Sequence, residues 1–372
     1  MKKLKLVTVI GTRPEIIRLA VLIKKCDDLF EHILVHTGQN FDYELNEIFF
    51  KELEIRKPDY FLEVASDNLG QTMGNIITES YNILKEINPD ALLVLGDTNS
   101  SLSILSAKRL KIPIFHMEAG NRCFDLNVPE EINRKVADHL ADINLTYSEN
   151  SRRYLLSEGI RKDFIFTTGS PLNEVLHYYY NQIQKSNILS DLNVEPKEFI
   201  VASVHREENL DLKDNFNSIL KAIHLISKHY NKPILFSTHP RTRKKLDSKK
   251  IKYSNINFMK PLGFFDYVKL QSEAYVTLSD SGTISEESSI MGFPAVSIRT
   301  SIERPEAIDN GVITIGNISL DSILQSTEIA IKTFNKPSEE LPYAYKVKNT
   351  SDRVIKIIQG YTLIVNREVW KK

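Results

Sequence analysis

Short apolar runs alternate with longer amphipathic stretches along this chain, and their spacing predicts strands alternating with helices. Lys5 to Ile10, Ile33 to His36, Ala91 to Leu95, Ile112 to Phe115, Asn144 to Tyr147 and Phe164 to Thr168 read as strands of a buried sheet. Between them, patterns of period 3.6 predict helices from the Gly11–Glu15 turn to about Lys25, from Tyr43 to Leu53, and from Leu69 to Ile87. Two more run from Glu130 to about Leu140 and from Ser148 to Glu158, the last ended by Gly159. From Tyr178 to Lys197 the chain is polar without a strong strand pattern, which marks an interdomain region. Alternation restarts with Phe199 to Ser203, a helix from Asn215 to Lys228, and strands at Ile234 to Ser237, Ile256 to Met259, Tyr275 to Leu278 and Ala295 to Ile298.

Such alternation implies parallel sheets with right-handed crossovers. The expected fold is α/β, with two Rossmann-like doubly wound domains and an interdomain cleft. Residues 1–172 form the first domain and 173–350 the second, and the amphipathic segment 351–372 packs back across the first. A chain of 372 residues exceeds the size at which one core usually keeps growing, which agrees with two domains.

Charge narrows the partners. Lys and Arg number 48, Asp and Glu also 48, so no general attraction to nucleic acid or acidic membranes is expected and any anion must be bound locally. The basic cluster Arg243, Lys244, Lys245, Lys249 and Lys250 lacks interleaved aromatics and reads as a solvated face. Cys26 and Cys123 form no disulfide framework or metal spacing, which suits a reducing compartment. The apolar run at the start is too short for a signal peptide, and no stretch approaches the roughly 18 apolar residues of a membrane span. A cytoplasmic protein is expected.

Residues 91–134 concentrate the candidate chemistry. Asp97 and Glu118 each follow an apolar run closely, and Glu130 or Glu131 opens a helix carrying Asn133 and Arg134. In open α/β sheets the carboxyl ends of strands line the ligand crevice, and carboxylates crowded there are costly unless used. Gly11 to Glu15 is a strand-to-helix turn whose free N–H groups favour an anion. Leu278 to Glu287 can seat a nucleotide diphosphate, or be simply a Ser-capped helix with an acidic first turn. No dinucleotide or P-loop glycine pattern is present. His205 follows a strand beside Arg206, where an imidazole can exchange protons near neutral pH. His239, Arg241, Arg299 and Arg304 suit phosphates, although salt bridges with neighbouring glutamates account for the arginines equally well. Phe264 and Phe265 could shelve a base, but core packing is the simpler reading. Asp97, Glu118 and Glu130 as Mg²⁺ ligands gain no support from a DxD motif or a histidine cluster.

Taken in order, GTRPE, GDTNS, HMEAGNR, PEEINR, HREEN, SDSGTISEE and ERPE resemble the non-hydrolysing UDP-N-acetylglucosamine 2-epimerase family across nearly the whole chain. The resemblance is greatest to the branch that acts on UDP-2-acetamido-2,6-dideoxy-L-talose to make UDP-N-acetyl-L-fucosamine for capsule and O-antigen. It implies a glycosyltransferase-B-like arrangement, and elimination and re-addition of UDP through a 2-acetamidoglycal. It implies no metal or nicotinamide cofactor, a UDP-sugar as the partner, and a homodimer. Residue by residue, it makes Asp97, Glu118, Glu130 and His205 catalytic, with Arg13 and Arg134 in the cleft. Ser281, Gly282 and Glu287 would contact UDP, with Thr283 in place of a common second glycine; Arg18, His239 and Arg304 complete the substrate contacts. Arg18 stands where lysine is usual, Gly120 to Cys123 replaces a GLRT-like run, and the loop from Glu118 to Glu130 is shorter. In the cluster that binds a second, activating UDP-sugar in many members, Gln39 remains but Glu79 lies near an expected arginine. UDP-N-acetylglucosamine 2-epimerase itself is the nearest rival reading. A glycosyltransferase or a non-catalytic nucleotide-sugar sensor are the others.

Overall fold

The computed structural model describes residues 2–39, 43–210, 213–249, 253–334 and 341–372, so Lys250 of the basic cluster lies outside the described residues. The chain divides into two compact units, Met1–Tyr178 with Lys346–Lys372, and Tyr179–Tyr345.

The first unit begins with β1 (Lys5–Ile10), α1 (Arg13–Leu29), β2 (Glu31–His36), α2 (Tyr43–Glu52), β3 (Tyr60–Phe61) and α3 (Leu69–Ile87). It continues with β4 (Ala91–Leu95), a 3₁₀ turn at Asn99–Leu102, α4 (Ser103–Arg109), β5 (Ile114–Ala119) and α5 (Pro129–Leu140). Next come β6 (Ile143–Thr146), α6 (Glu149–Ser157), β7 (Ile165–Thr167) and α7 (Leu172–Tyr178). Every pairing among these strands is parallel, in the order β3-β2-β1-β4-β5-β6-β7. The order reverses direction between β1 and β4, so the carboxyl ends of those two strands form the switch point where α/β sheets place ligands. Val7, Val9, Leu92, Val94 and Ile114 bury one sheet face against Leu84, Ile104 and Ala137 of the covering helices.

In the second unit, α8 (Tyr180–Gln184) and α9 (Ile188–Asp191) precede β8 (Ile200–Ser203), α10 (Glu207–Leu210), α11 (Lys213–Tyr230), β9 (Ile234–Ser237) and α12 (Pro240–Lys249). They are followed by β10 (Ile256–Met259), α13 (Phe264–Glu273), β11 (Thr277–Ser279), α14 (Ile284–Met291), β12 (Ala295–Ser297), α15 (Pro305–Asp309), β13 (Thr314–Ile315) and α16 (Leu320–Lys332). The sheet order β10-β9-β8-β11-β12-β13 repeats the first, with its switch point between β8 and β11. After α17 (Tyr343–Lys346), the chain returns to the first unit as α18 (Thr350–Val365) and a π-helical turn at Asn366–Trp370. There the Ser351 amide donates to Glu174, and Lys25 of α1 bridges Glu174 and Asp352 at 2.9 and 2.7 Å. Among the described residues no helix is long and apolar enough to cross a membrane.

The structure differs from the sequence reading in several places: the units divide after Tyr178 and Tyr345 rather than after residues 172 and 350, and α4, α7, α12 and α13 stand where no helix is expected. The polar stretch 178–197 contains α8 and α9, short pieces that each bury one anchor, Ile183 or Ile188, too few to generate a visible period. The two-residue strands β3 and β13 were not expected. Finally, β5 runs to Ala119, so Glu118 is the next-to-last residue of the strand rather than lying after it.

Beside the first switch point, burial pushes the His36 imidazole down to about 4. Its Nδ1 accepts from the Gly38 amide at 3.0 Å and its ring stacks on Phe61. The unfolded chain takes up this proton near 6.5 whereas the native state does not, so stability falls as pH drops from 6.5 towards about 4. Melting temperatures over that window should therefore decline more steeply for the native chain than for His36→Gln. Parallel declines would remove His36 as the cause.

Candidate active site

At the first switch point Glu15 ties two loops together. Its carboxylate accepts from the Gly11 and Thr12 amides at 2.9 and 2.7 Å and from the hydroxyls of Thr98 and Ser100 in the loop after β4. Burial, opposed by those donors, raises its pKa. The turn after β1 and the loop bearing Asp97 are thus fixed as one body. Arg13 stands at the first residue of α1 with its guanidinium over the Phe49 ring, 5.8 Å from the centroid.

Two carboxylate–arginine pairs occupy the carboxyl ends of β4 and β5. Asp97, 22% exposed, is 2.6 Å from Arg134, whose side chain is buried. Glu118, 12% exposed, is paired with buried Arg18 of α1. Tyr147 and Asn121 also donate to Glu118, at 3.4 and 3.2 Å. The Glu118 backbone has φ 64° and the register of β5 against β6 slips between Met117 and Ala119. A glutamate in the left-handed region is uncommon, and the slip turns its side chain out of the strand's regular alternation.

The segment after β5 is held from beneath by a buried charge cluster. Asp138 lies 2.9 Å from His116 Nδ1, accepts from Arg122 at 2.6 Å and receives the Gly120 amide at 3.1 Å; Arg122 also forks onto Glu158. At the start of α5 the two glutamates separate in role. Glu131 is fully buried and accepts from the Cys123 and Phe124 amides and from Arg134, which makes it a brace for the loop. Burial and this acceptor push the Cys123 thiol up to about 11, so it is no nucleophile at neutral pH. Glu130 is half-buried and, among the described residues, makes no hydrogen bond or ion pair. Asn133 donates to the Asp97 carbonyl at 3.0 Å.

The second switch point carries His205 and the Ser281 loop. Asp280 accepts from the His205 and Arg206 amides at 3.0 and 2.9 Å and from Asn209, and lies 3.1 Å from His205 Nδ1. Burial alone would raise the pKa of Asp280; His205 and these donors instead hold it down at about 2. The ring of half-buried His239 lies 5.9 Å from that of His205. Ser281 and Thr283 share a hydroxyl bond of 2.9 Å, and a Cβ placed on Gly282 would lie 3.6 Å from Arg206 and 3.7 Å from Arg299. The loop backbone is thereby flanked by two guanidinium groups, both of which pair with Glu303, at 2.5 Å from Arg299 and 3.4 Å from Arg206. Glu287 accepts from Gln271 at 3.0 Å.

Three arginines expected to touch substrate carry intramolecular partners: Arg18 with Glu118, Arg134 with Asp97, and Arg304, buried, with Glu286. Arg18 and Arg134 still border the partly exposed carboxylates, whereas Arg304 braces α14. Asp280 was missed as a partner of His205. Its signal is topological, since a carboxylate just after β11 must face the residue just after the adjacent β8. Among the described residues no group of three or more His, Cys, Asp or Glu side chains could hold a metal ion.

A family profile described as UDP-N-acetylglucosamine 2-epimerase matches residues 24–359. A Methanococcus maripaludis protein named UDP-N-acetylglucosamine 2-epimerase homolog is 36% identical, over 96% of this chain and 100% of its own. Among solved structures, UDP-N-acetylglucosamine 2-epimerase from Rickettsia bellii matches with a TM-score of 0.92 at 44% identity over 100% of both chains. The Methanocaldococcus jannaschii UDP-GlcNAc 2-epimerase in complex with UDP-GlcNAc and UDP matches with a TM-score of 0.90 at 31% identity, over 96% of this chain and 99% of that one.

Proposed function

We propose that this chain, which belongs to the UDP-N-acetylglucosamine 2-epimerase family and is a non-hydrolysing nucleotide-sugar 2-epimerase, converts UDP-2-acetamido-2,6-dideoxy-L-talose to UDP-N-acetyl-L-fucosamine. The product would serve capsule or O-antigen synthesis, and the enzyme would work as a cytoplasmic homodimer without metal or nicotinamide cofactor. A carboxylate takes the proton from sugar carbon 2 as the bond from carbon 1 to UDP breaks, leaving a 2-acetamidoglycal. UDP then adds back to carbon 1 while a second group returns a proton to the opposite face of carbon 2.

One observation carries the chemistry: two carboxylates, Asp97 and Glu118, end adjacent strands, each paired with its own buried arginine, and Glu130 stands near them along the chain with no hydrogen bond or ion pair among the described residues. Proton exchange on two faces needs at least two such groups. Asp97, Glu118 and Glu130 are accordingly assigned to proton transfer, with His205, oriented by Asp280, as a further acid/base group. Ser281, Gly282, Thr283 and Glu287 are assigned to UDP, Arg13 and His239 to its phosphates, and Arg18 and Arg134 to the sugar side. Arg304 is retained only as support of the UDP loop. The choice of sugar is supported by the Asn121–Arg122–Cys123 run, which departs from the GLRT-like pattern and sets an amide against Glu118.

The names of the relatives favour a second reading, epimerisation of UDP-N-acetylglucosamine to UDP-N-acetylmannosamine. Incubation in deuterium oxide separates the two. UDP-2-acetamido-2,6-dideoxy-L-talose is expected to yield the fuco epimer carrying deuterium at carbon 2, with UDP-N-acetylglucosamine unlabelled in a parallel reaction. The reverse labelling would transfer the assignment to the second reading.

A further inference from the structure

We propose that Asn121 is a positioning residue for the reaction: it fixes the carboxylate plane of Glu118 through an amide bridge whose far end is anchored on α6. The inference rests on Glu118 being a proton-transfer group, as assigned above.

The geometry of the bridge is specific. Asn121 Nδ2 donates to Glu118 Oε1 at 3.2 Å, and Asn121 Oδ1 accepts from the Ser151 hydroxyl at 3.0 Å. An ionised carboxylate can only accept, so the amide nitrogen must face Glu118 and its oxygen must face Ser151; the network sets the amide's orientation uniquely. Ser151 is held in turn, since its amide donates to the N-cap hydroxyl of Ser148 at 3.2 Å. The side chain of Asn121 is buried, so both of its ends depend on these partners.

The backbone on each side of Asn121 is fixed independently. Gly120 has φ 81°, and any Cβ there would collide with the Ser151 carbonyl; only glycine lets the segment approach α6 closely enough for the bridge to form. Arg122, on the other side, is clamped between Asp138 and Glu158. Asn121 is therefore delivered to Glu118 by two anchors that do not touch the carboxylate. Arg18 and Tyr147 meet the other oxygen, Oε2. With Oε2 held by Arg18 and Tyr147, the Asn121 donor on Oε1 gives the second oxygen its own anchor and resists rotation about the Cγ–Cδ bond.

Neither an apolar nor an acidic side chain does this. Leucine removes the donor and leaves the Ser151 hydroxyl with the Ser148 hydroxyl as its remaining partner. Aspartate sets a second carboxylate where the donor stood, against Glu118 itself.

The test uses Asn121→Leu, Ser151→Ala and their combination in the full-length enzyme, assayed by deuterium wash-in at carbon 2 of UDP-2-acetamido-2,6-dideoxy-L-talose. Asn121→Leu is expected to lower kcat by roughly 10- to 100-fold, the scale of a misplaced reacting group, with KM within about threefold. Because a lost donor disfavours the charged carboxylate, the acid limb of the kcat/KM profile should move to higher pH. Ser151→Ala, which leaves Glu118 untouched, should give a smaller loss of the same kind. The double variant should be no worse than Asn121→Leu alone, as expected for residues in one chain of contacts. Wild-type kcat and an unshifted profile in a folded Asn121→Leu protein would overturn the proposal, as would a loss confined to KM. Should Asn121→Leu fail to fold, an unchanged Ser151→Ala enzyme overturns it instead. A wild-type enzyme that labels only UDP-N-acetylglucosamine rejects the sugar assignment alone, and the same variants are then read with that substrate. Unimpaired Glu118→Gln would reject the site assignment itself.

Discussion

Glu118→Gln is expected to lower the rate of carbon 2 exchange by on the order of 10³, the scale of losing a positioned acid/base group. Glutamine keeps the shape and the contacts with Tyr147 and Asn121 within reach, but it cannot take a proton at neutral pH. It also leaves the buried Arg18 guanidinium facing a neutral amide, so a moderate fall in melting temperature should accompany the kinetic loss. The two effects are separable, because a folded variant at 25 °C should still bind UDP with near-native affinity through the Ser281 loop, which lies in the other unit. Asp97→Asn should behave in parallel, with Arg134 left to Glu131 as its counter-charge and so a smaller fall in melting temperature. Retention of near-native exchange in both variants would sink the assignment of proton transfer to this pair. Loss of UDP binding in either would show that the kinetic effect arises from misfolding.

The sheet strands were legible because a two-sided parallel sheet demands continuous apolar residues, and Lys5–Ile10, Ala91–Leu95 and Ile234–Ser237 supply them. Edge strands such as β3 and β13, only two residues long, bury too little to leave a pattern. The helices α8 and α9 escaped for the same reason. For the helices the missing information is tertiary: Ile188 of α9 packs in a cluster with Leu270 of α13, and α8 also lies against α13.

At the site, residue type was legible and partnership was not. Asp97, Glu118 and His205 could be picked out because carboxylates and an imidazole at strand ends are costly without a use. Nothing in sequence says that Arg18, 100 residues earlier, meets Glu118, or that Glu131 rather than Glu130 is consumed by the loop amides. The left-handed backbone of Glu118 was equally hidden, since glutamate has no preference for it. The departure at Asn121 was visible as a letter. Its meaning required the Ser151 hydroxyl on one side and the Glu118 carboxylate on the other.

Asp138→Leu should destabilise the first unit by about 3–5 kcal/mol, the cost of removing one partner from a buried charge group. Asp138 is the shared acceptor for Arg122 and the Gly120 amide and the counter-charge of His116, and all three side chains are fully enclosed. For a unit of this size such a loss corresponds to a melting temperature lower by roughly 10 °C. The pH dependence gives a second readout. Burial opposes the charge on His116, but Asp138 beside it raises its pKa above the ordinary 6.5. The raised pKa means that this stabilisation is fully present below about 6.5 and is lost as pH rises through the folded value. In Asp138→Leu that loss should vanish, because the imidazole has no counter-charge to lose. Replacing the cluster together, as Asp138→Leu with Arg122→Met and His116→Leu, should recover much of the stability, since a packed apolar group serves as well as a buried ion cluster. It should not recover turnover, because Gly120 and Arg122 would no longer hold Asn121 against Glu118. A triple variant that regained both would show that the cluster stabilises the fold without shaping the site.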